Sequence, residues 1–220
     1  MRTLTNGALA LIMAAMAMGG WAFAADSTTP AVTGDEALTR LKTGNERFAS
    51  SKDSAAKPVA ARHAETAQAQ HPFAIIVACA DSRTAPEIVF DQNIGDLFVI
   101  RTAGNLVDDY GLGSIEYAVE HLGVRLIVVL GHKRCGAVTA ALGSPFAPGH
   151  INSLVRDIQP AVTASEAKKG DALTNAIHEN DSEVAAKIRA QAELGDLATE
   201  VRIVEGYYDL DTGKVEWTAK

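Results

Sequence analysis

Cysteine is scarce in this chain, with two residues in 220. One disulfide is the most they can form, and in an exported chain that is the plainest use of two cysteines. Aromatic residues make up only 5%, too few for a platform that stacks nucleic-acid bases. Lys and Arg number 20 against 27 Asp and Glu, with no basic cluster anywhere. A phosphate-binding surface needs such a patch, so no nucleic-acid partner is expected. Beyond the first 24 residues no apolar run reaches spanning length. No membrane span is therefore expected in the mature chain. There are no internal repeats.

The first 24 residues stand apart. Arg2 is their one charge, and a long apolar stretch over residues 8–24 ends in Ala22-Phe23-Ala24. Small residues flanking one larger residue form a signal-peptidase cleavage site. The stretch is rich in Ala and Gly and short for an anchor. Residues 1–24 are thus expected to be a secretory signal cut after Ala24, delivering a soluble chain to a bacterial periplasm. Without Arg2, 19 basic residues face 27 acidic ones, a net charge of −8. The remaining length suits one domain with a sizeable core, or one domain with an arm.

Residues 25–34 are small and polar and read as a flexible leader. Residues 35–49 read as an amphipathic helix: Leu38, Leu41 and Phe48 recur at near-helical spacing, and Asp35 and Glu36 suit its first turn. A loop with Pro58 follows, then an Ala-rich helix over residues 59–70. Residues 73–78, 97–100 and 126–130 are short continuous apolar runs, the mark of strands buried on both faces. Residues 113–122 read as a helix with Ile115, Ala118, Val119 and Leu122 on one face. Residues 136–142 begin another, and residues 150–194 read as helical apart from a break near Gly170. Residues 201–208 are a strand, and 215–218 return from the turn at 209–214 as a hairpin. This alternation predicts an α/β fold: a mostly parallel central sheet flanked by helices, with an N-terminal helical arm (35–70) and a C-terminal β-hairpin, in a single domain over residues 35–220.

Both cysteines fall in short segments that follow buried strands: Cys79-Ala80-Asp81-Ser82-Arg83, and Gly131-His132-Lys133-Arg134-Cys135-Gly136. In an open α/β sheet, ligands bind beyond the carboxyl ends of the strands, which is where these segments lie. Neighbouring strands would bring them together. His132 and Cys135, three residues apart, suit one face of a helical turn, with Gly131 and Gly136 leaving room for the backbone. Two thiolates and an imidazole are good zinc ligands, and three protein ligands leave the fourth position open for catalysis. Two thiolates also cancel the charge of the metal, so a bound water is acidified less than at a three-histidine site. Asp81 stands close enough to reach the metal or that water. Arg83 can hold Asp81 ionised, leaving it able only to accept a hydrogen bond and so to orient the water's lone pair. Metal-assisted hydration or hydrolysis follows.

These segments resemble the β-class carbonic anhydrases. Supporting stretches are Arg40-Leu41-Lys42-Thr43-Gly44-Asn45-Glu46-Arg47-Phe48, Gly95-Asp96-Leu97-Phe98-Val99-Ile100-Arg101-Thr102-Ala103-Gly104-Asn105 and Ile115-Glu116-Tyr117-Ala118. The resemblance runs from about Asp35 to Trp217. It implies reversible hydration of carbon dioxide to bicarbonate and a proton on one zinc ion (Zn2+) per chain. The metal would be held by Cys79, His132 and Cys135, with water or Asp81 as the fourth ligand. Asp81 and Arg83 become the catalytic dyad. Gln70 would donate a hydrogen bond to substrate from a neighbouring subunit, and Phe98, Ala103 and Tyr117 would line an apolar pocket. A homo-oligomer is implied, a dimer or a multiple of dimers, with the helix carrying Leu38, Leu41 and Phe48 as a dimerisation arm. Some members bind bicarbonate in an accessory pocket of Trp, Arg and Tyr. Arg101 and Tyr208 match two of those positions and Ile76 stands at the Trp position. Ala80 stands where Ser is common.

Two alternatives stay open on sequence. The same fold and metal suit hydrolysis of carbonyl sulfide or carbon disulfide. A non-catalytic exported domain would instead carry a Cys79–Cys135 disulfide or a closed structural zinc. His63, His71, His121, His150 and His178 show no ligand spacing, and a proton shuttle among them is not singled out.

Overall fold

A computed structural model describes residues 32–52, 55 and 59–218. The expected signal segment and residues 25–31 of the leader lie outside the described residues. The chain opens with α1 (Gly34–Ala49), capped by Thr33, whose Oγ1 accepts from the Glu36 amide at 3.3 Å. Asp35 and Glu36 sit in its first turn and Arg47 in its last, each favourable to the helix dipole. Ala37, Leu38 and Leu41 bury against the chain's own sheet, beside Ile76, Val128 and Leu130. The apolar stripe assigned to a dimerisation arm is thus used inside this chain. The second helix, α2 (Val59–Thr66), is shorter than expected and has no buried residue.

The sheet is built from β1 (Ala74–Cys79), β2 (Leu97–Thr102), β3 (Leu126–His132), β4 (Arg202–Tyr208) and β5 (Val215–Thr218), in the order β2-β1-β3-β4-β5. Every residue of β1 and β3 is buried, as their unbroken apolar runs require. The first four strands are parallel and β5 returns antiparallel on β4 as a hairpin. Alternate residues serve opposite faces. Ile76, Ala78, Val128 and Leu130 face α1. Ile75, Val77, Ile127 and Val129 face the helices described next.

Short α3 (Pro86–Val89) follows β1 and was not foreseen. Helix α4 (Asp109–Glu120) begins four residues before the apolar pattern does, because the Asp108 carboxylate caps it through the Gly111 amide at 2.9 Å. After β3 come α5 (Gly136–Gly143), α6 (Ile151–Ser165) and α7 (Ala172–Gln191), the last two separated at Gly170, whose φ is +113°. Ile115 and Val119 of α4 join Val184 and Ile188 of α7 under one face of the sheet. A third cluster packs Cys79 and Cys135 against Val138, Val155, Ile158 and Ile177. It forms a greasy wall behind the carboxyl ends of β1 and β3.

Two glycine-adjacent contacts fix α1 in place. A Cβ on Gly44 would collide with the Phe90 carbonyl. Asn45 is buried and donates to the carbonyls of Val89 at 3.1 Å and Gly213 at 2.8 Å, while its Oδ1 accepts from the Val215 amide at 2.8 Å. One side chain therefore ties α1 to both α3 and the C-terminal hairpin.

Candidate active site

β1 and β3 are paired neighbours, with Ala78 opposite Leu130. Cys79 ends β1 and His132 ends β3, so register alone brings the two segments level. The chain between His132 and Cys135 is not a helical turn, contrary to the spacing argument. Arg134 adopts a left-handed backbone (φ +57°) and Cys135 caps α5. The cap position favours negative charge on its sulfur. Arg134 holds both carboxylate oxygens of Asp211 at 2.9 and 2.6 Å, and Lys133 pairs with Asp211 at 2.9 Å. The turn is thereby fastened to the β4–β5 loop. Gly131 earns its place through close approach, since a Cβ there would strike the Asp181 carboxylate. Around Gly136 the space is open.

The Sγ atoms of Cys79 and Cys135 and a ring nitrogen of His132 all lie within 4.8 Å of one another, and all three residues are buried. Both cysteines are free, their sulfurs 4.0 Å apart, about twice the length of a disulfide bond. His132 Nδ1 lies 3.0 Å from the Lys133 carbonyl. A carbonyl only accepts, so Nδ1 carries the proton and Nε2 presents a lone pair. That Nε2 is buried and has no hydrogen-bond partner among the described residues. A buried lone pair aimed at two thiols is what a soft dication would satisfy. As bare thiols the pair shares a proton. Cys135 donating to Cys79 holds the Cys79 thiol well below its ordinary value, and the same pairing, with burial, pushes Cys135 well above. A dication at the centre would let both ionise, so the donor set fits zinc.

Asp81 stands at the rim of this cluster, its Oδ2 3.9 Å from His132 Nε2. Arg83 grips it with Nε to Oδ1 at 2.9 Å and Nη2 to Oδ2 at 2.7 Å. That pairing holds the carboxyl far below the usual carboxylate range, with the Arg83 amide adding to it against modest burial. The carboxylate is engaged by Arg83 and lies outside the three-donor group. The loop beneath it is pinned twice. Arg101 donates to the carbonyls of Cys79 at 2.9 Å and Asp81 at 2.6 Å. Thr84 is buried, and its hydroxyl donates to the Asp81 carbonyl at 2.9 Å. Ile76, at the accessory-pocket position, is fully buried core.

The expected pocket residues divide. Ala103 follows β2 directly, next to Thr102, which is opposite Cys79. Phe98 is opposite Ile75, four residues back along the strand or about 13 Å. It pairs there with Tyr117, the ring centroids 6.4 Å apart and Tyr117 43% exposed. Gln70 is exposed in the loop after α2. These three are therefore not assembled around the metal cluster of their own chain. A groove of about 540 Å³ lies elsewhere, between Phe48, Val59, Arg62, Ile88 and Ile94.

Sequence reasoning missed the buried polar residues behind the cluster. Gly104 donates its amide to Cys79 Sγ at 3.3 Å, and Asn105, Asn180 and Asp181 stand behind that turn. Their signal was present: Asn180 and Asp181 interrupt the apolar spacing of Ile177, Val184 and Ile188 on α7.

A carbonic anhydrase family profile matches residues 74–215. The carbonic anhydrase of Mycolicibacterium smegmatis is 44% identical over 184 residues, covering 80% of this chain and 89% of that one. Carbonic anhydrase 2 of Mycobacterium tuberculosis is 41% identical over 188 residues, covering 79% and 87%. Among solved structures, Coccomyxa β-carbonic anhydrase in complex with acetazolamide superposes with a TM-score of 0.67 at 26% identity, over 83% of this chain and 86% of that one. A β-carbonic anhydrase of Sordaria macrospora, described as tetrameric, gives 0.64 at 20% identity over 73% and 91%. Profile, relatives and fold agree with the convergence of Cys79, His132 and Cys135, and this chain belongs to the β-class carbonic anhydrase family.

Proposed function

We propose that this chain catalyses the reversible hydration of carbon dioxide to bicarbonate and a proton on one zinc ion per chain. One observation carries the reading: Cys79, His132 and Cys135 converge, with a buried Nε2 that has no hydrogen-bond partner among the described residues, beside a carboxylate that Arg83 has already engaged. Zinc, when bound, supplies the Lewis acidity that lowers the pKa of a coordinated water. Asp81 stays ionised and can only accept a hydrogen bond. It would accept a hydrogen bond from the attacking water, which leaves an oxygen lone pair facing the substrate carbon. Arg83 fixes its two oxygens, and Arg101 fixes the height of its backbone. A misplaced acceptor loses rate steeply, which gives these supports their catalytic weight.

The substrate pocket is completed by a second copy of the chain. β2 ends the sheet, and among the described residues its outer edge is unpaired. Two such edges meeting antiparallel about a two-fold axis set the start of one strand against the end of the other. Phe98 and Tyr117 of one copy then face the Ala103 and Cys79 end of the other, and Gln70 reaches substrate across the same junction. Exposed Tyr110 and Tyr117 supply an aromatic face for it. A dimer, or a multiple of dimers, is the working form. Export to a periplasm completes the proposal, supported by the apolar stretch over residues 8–24 and its Ala22-Phe23-Ala24 end.

A substrate panel tests the reading. Zinc-loaded protein is given carbon dioxide, carbonyl sulfide and carbon disulfide in turn. Carbon dioxide turning over fastest is the expected result. Hydrolysis of the sulfur compounds without carbon dioxide hydration would overturn it.

A further inference from the structure

The turn after β2 holds two successive left-handed residues, Gly104 at φ +73° and Asn105 at φ +46°. Glycine adopts that backbone freely and asparagine tolerates it. The turn is held from behind by one helix. Asn180 Nδ2 donates to the Gly104 carbonyl at 2.9 Å, and Asn105 Nδ2 donates to Asp181 Oδ1 at 3.0 Å. All three side chains belong to residues no more than 2% exposed. On the other side of the same residue, the Gly104 amide points at Cys79 Sγ, 3.3 Å away. The Asp181 carboxyl also abuts Gly131, the residue before His132, where no Cβ would fit. One pair of α7 side chains thus touches the supports of both metal segments.

Neither side chain is required by the helix that carries it. Ile177, Val184, Ala185 and Ile188 surround the pair on an apolar face, where burying polar groups is costly unless they are satisfied. Burial also pushes the Asp181 carboxyl well above the usual carboxylate range, which favours its neutral form, of which Asn is a close isostere.

We propose that Asn180 and Asp181 are positioning residues of the metal site. They hold the Gly104–Asn105 turn so that its amide is aimed at Cys79 Sγ, which sets the electron density on that sulfur and how tightly the three donors hold their metal. Hydrogen bonds to ligating groups commonly change metal affinity about 10- to 100-fold. The proposal rests on the reading of Cys79, His132 and Cys135 as a zinc site.

The test uses the full-length chain and three variants. Asn180→Leu removes the donor to Gly104 at similar volume. Asn105→Gly keeps the left-handed backbone and removes only the bond to Asp181. Asp181→Asn keeps the acceptor oxygen. Zinc affinity is read by competition with a chromogenic chelator, and the cobalt-loaded forms report the sulfur-to-metal charge-transfer band. Asn180→Leu and Asn105→Gly are expected to bind zinc about 10- to 100-fold more weakly and to shift the cobalt band, with Asp181→Asn matching wild type in both. A variant that is merely less stable would keep the band. Unchanged affinity and band in folded Asn105→Gly overturn the proposal, even where Asn180→Leu fails to fold. Wild type that takes up neither zinc nor cobalt sinks the metal-site reading itself, and this inference with it.

Discussion

Arg83 and Asp81 form a two-pronged ion pair, Nε to Oδ1 at 2.9 Å and Nη2 to Oδ2 at 2.7 Å, although only Ser82 separates them. Parallel bonds of this kind fix orientation as well as charge. The Asp81 carboxylate is therefore presented to the cluster in one pose, with its acceptor character locked in. Arg83→Ala is expected to lower kcat about 100-fold while zinc stays bound, because the acceptor loses its orientation and the metal keeps all three donors. Zinc content beside single-turnover rate checks this. Undiminished kcat would show that Asp81 acts without its partner.

The direction of the Asp81 shift gives a pH statement. Its folded pKa lies below the unfolded value of about 4. Ionised Asp81 thus adds to stability above that pH, and its contribution is lost as pH falls through the folded value. Across about pH 5 to 8 the carboxylate does not titrate, so any rise in hydration rate within that window belongs to another group. Asp81→Asn should remain zinc-loaded and lose most turnover at every pH in the window. Full activity in that variant would remove Asp81 from the mechanism.

Cys135→Ala is expected to hold far less than one zinc per chain, because the remaining Cys79 and His132 leave the metal two-coordinate on the protein side. Atomic absorption on dialysed protein measures this. Stoichiometric zinc would mean that the ligand set is different.

Both thiols are free at 4.0 Å. Denatured, chelator-treated protein prepared without reductant should therefore react with two equivalents of a thiol reagent. Zero equivalents would restore the disulfide and with it a non-catalytic domain.

Gly44 packs its α-carbon against the Phe90 carbonyl, and Gly143 has open space around it. Gly44→Ala should cost about 1–3 kcal/mol in urea unfolding, since a backbone carbonyl cannot move aside cheaply. Gly143→Ala should be neutral or slightly stabilising. Equal stability in the two variants would contradict the packing of α1 on α3.

The parts of this fold that were legible in the sequence are those in which one local pattern decides. The unbroken apolar runs at 73–78 and 126–130 read as buried strands, and Cys79 and His132 stand at or just past their ends, where the strands Ala74–Cys79 and Leu126–His132 finish. Gly170 marked the break between α6 and α7. Capping by Asp108 shifted the start of α4, because a cap extends a helix beyond its apolar face. The turn from His132 to Cys135 escaped, since two ligands three apart suit a helical turn and a left-handed Arg134 equally. Asn45, Asn105, Asn180 and Asp181 escaped because their partners lie 44 to 170 residues away in the chain. The Arg101 contacts to Cys79 and Asp81 were hidden for the same reason. Phe98 and Tyr117, expected beside Ala103 in one pocket, are ring neighbours 6.4 Å apart, yet nothing local in the sequence shows how far from Cys79 the register sets them.

Stopped-flow hydration of carbon dioxide by the wild-type protein, with zinc counted on the same sample, is the most direct measurement. About one zinc per chain with hydration far above the buffer rate is the predicted result. One zinc per chain with hydration no faster than buffer would contradict it.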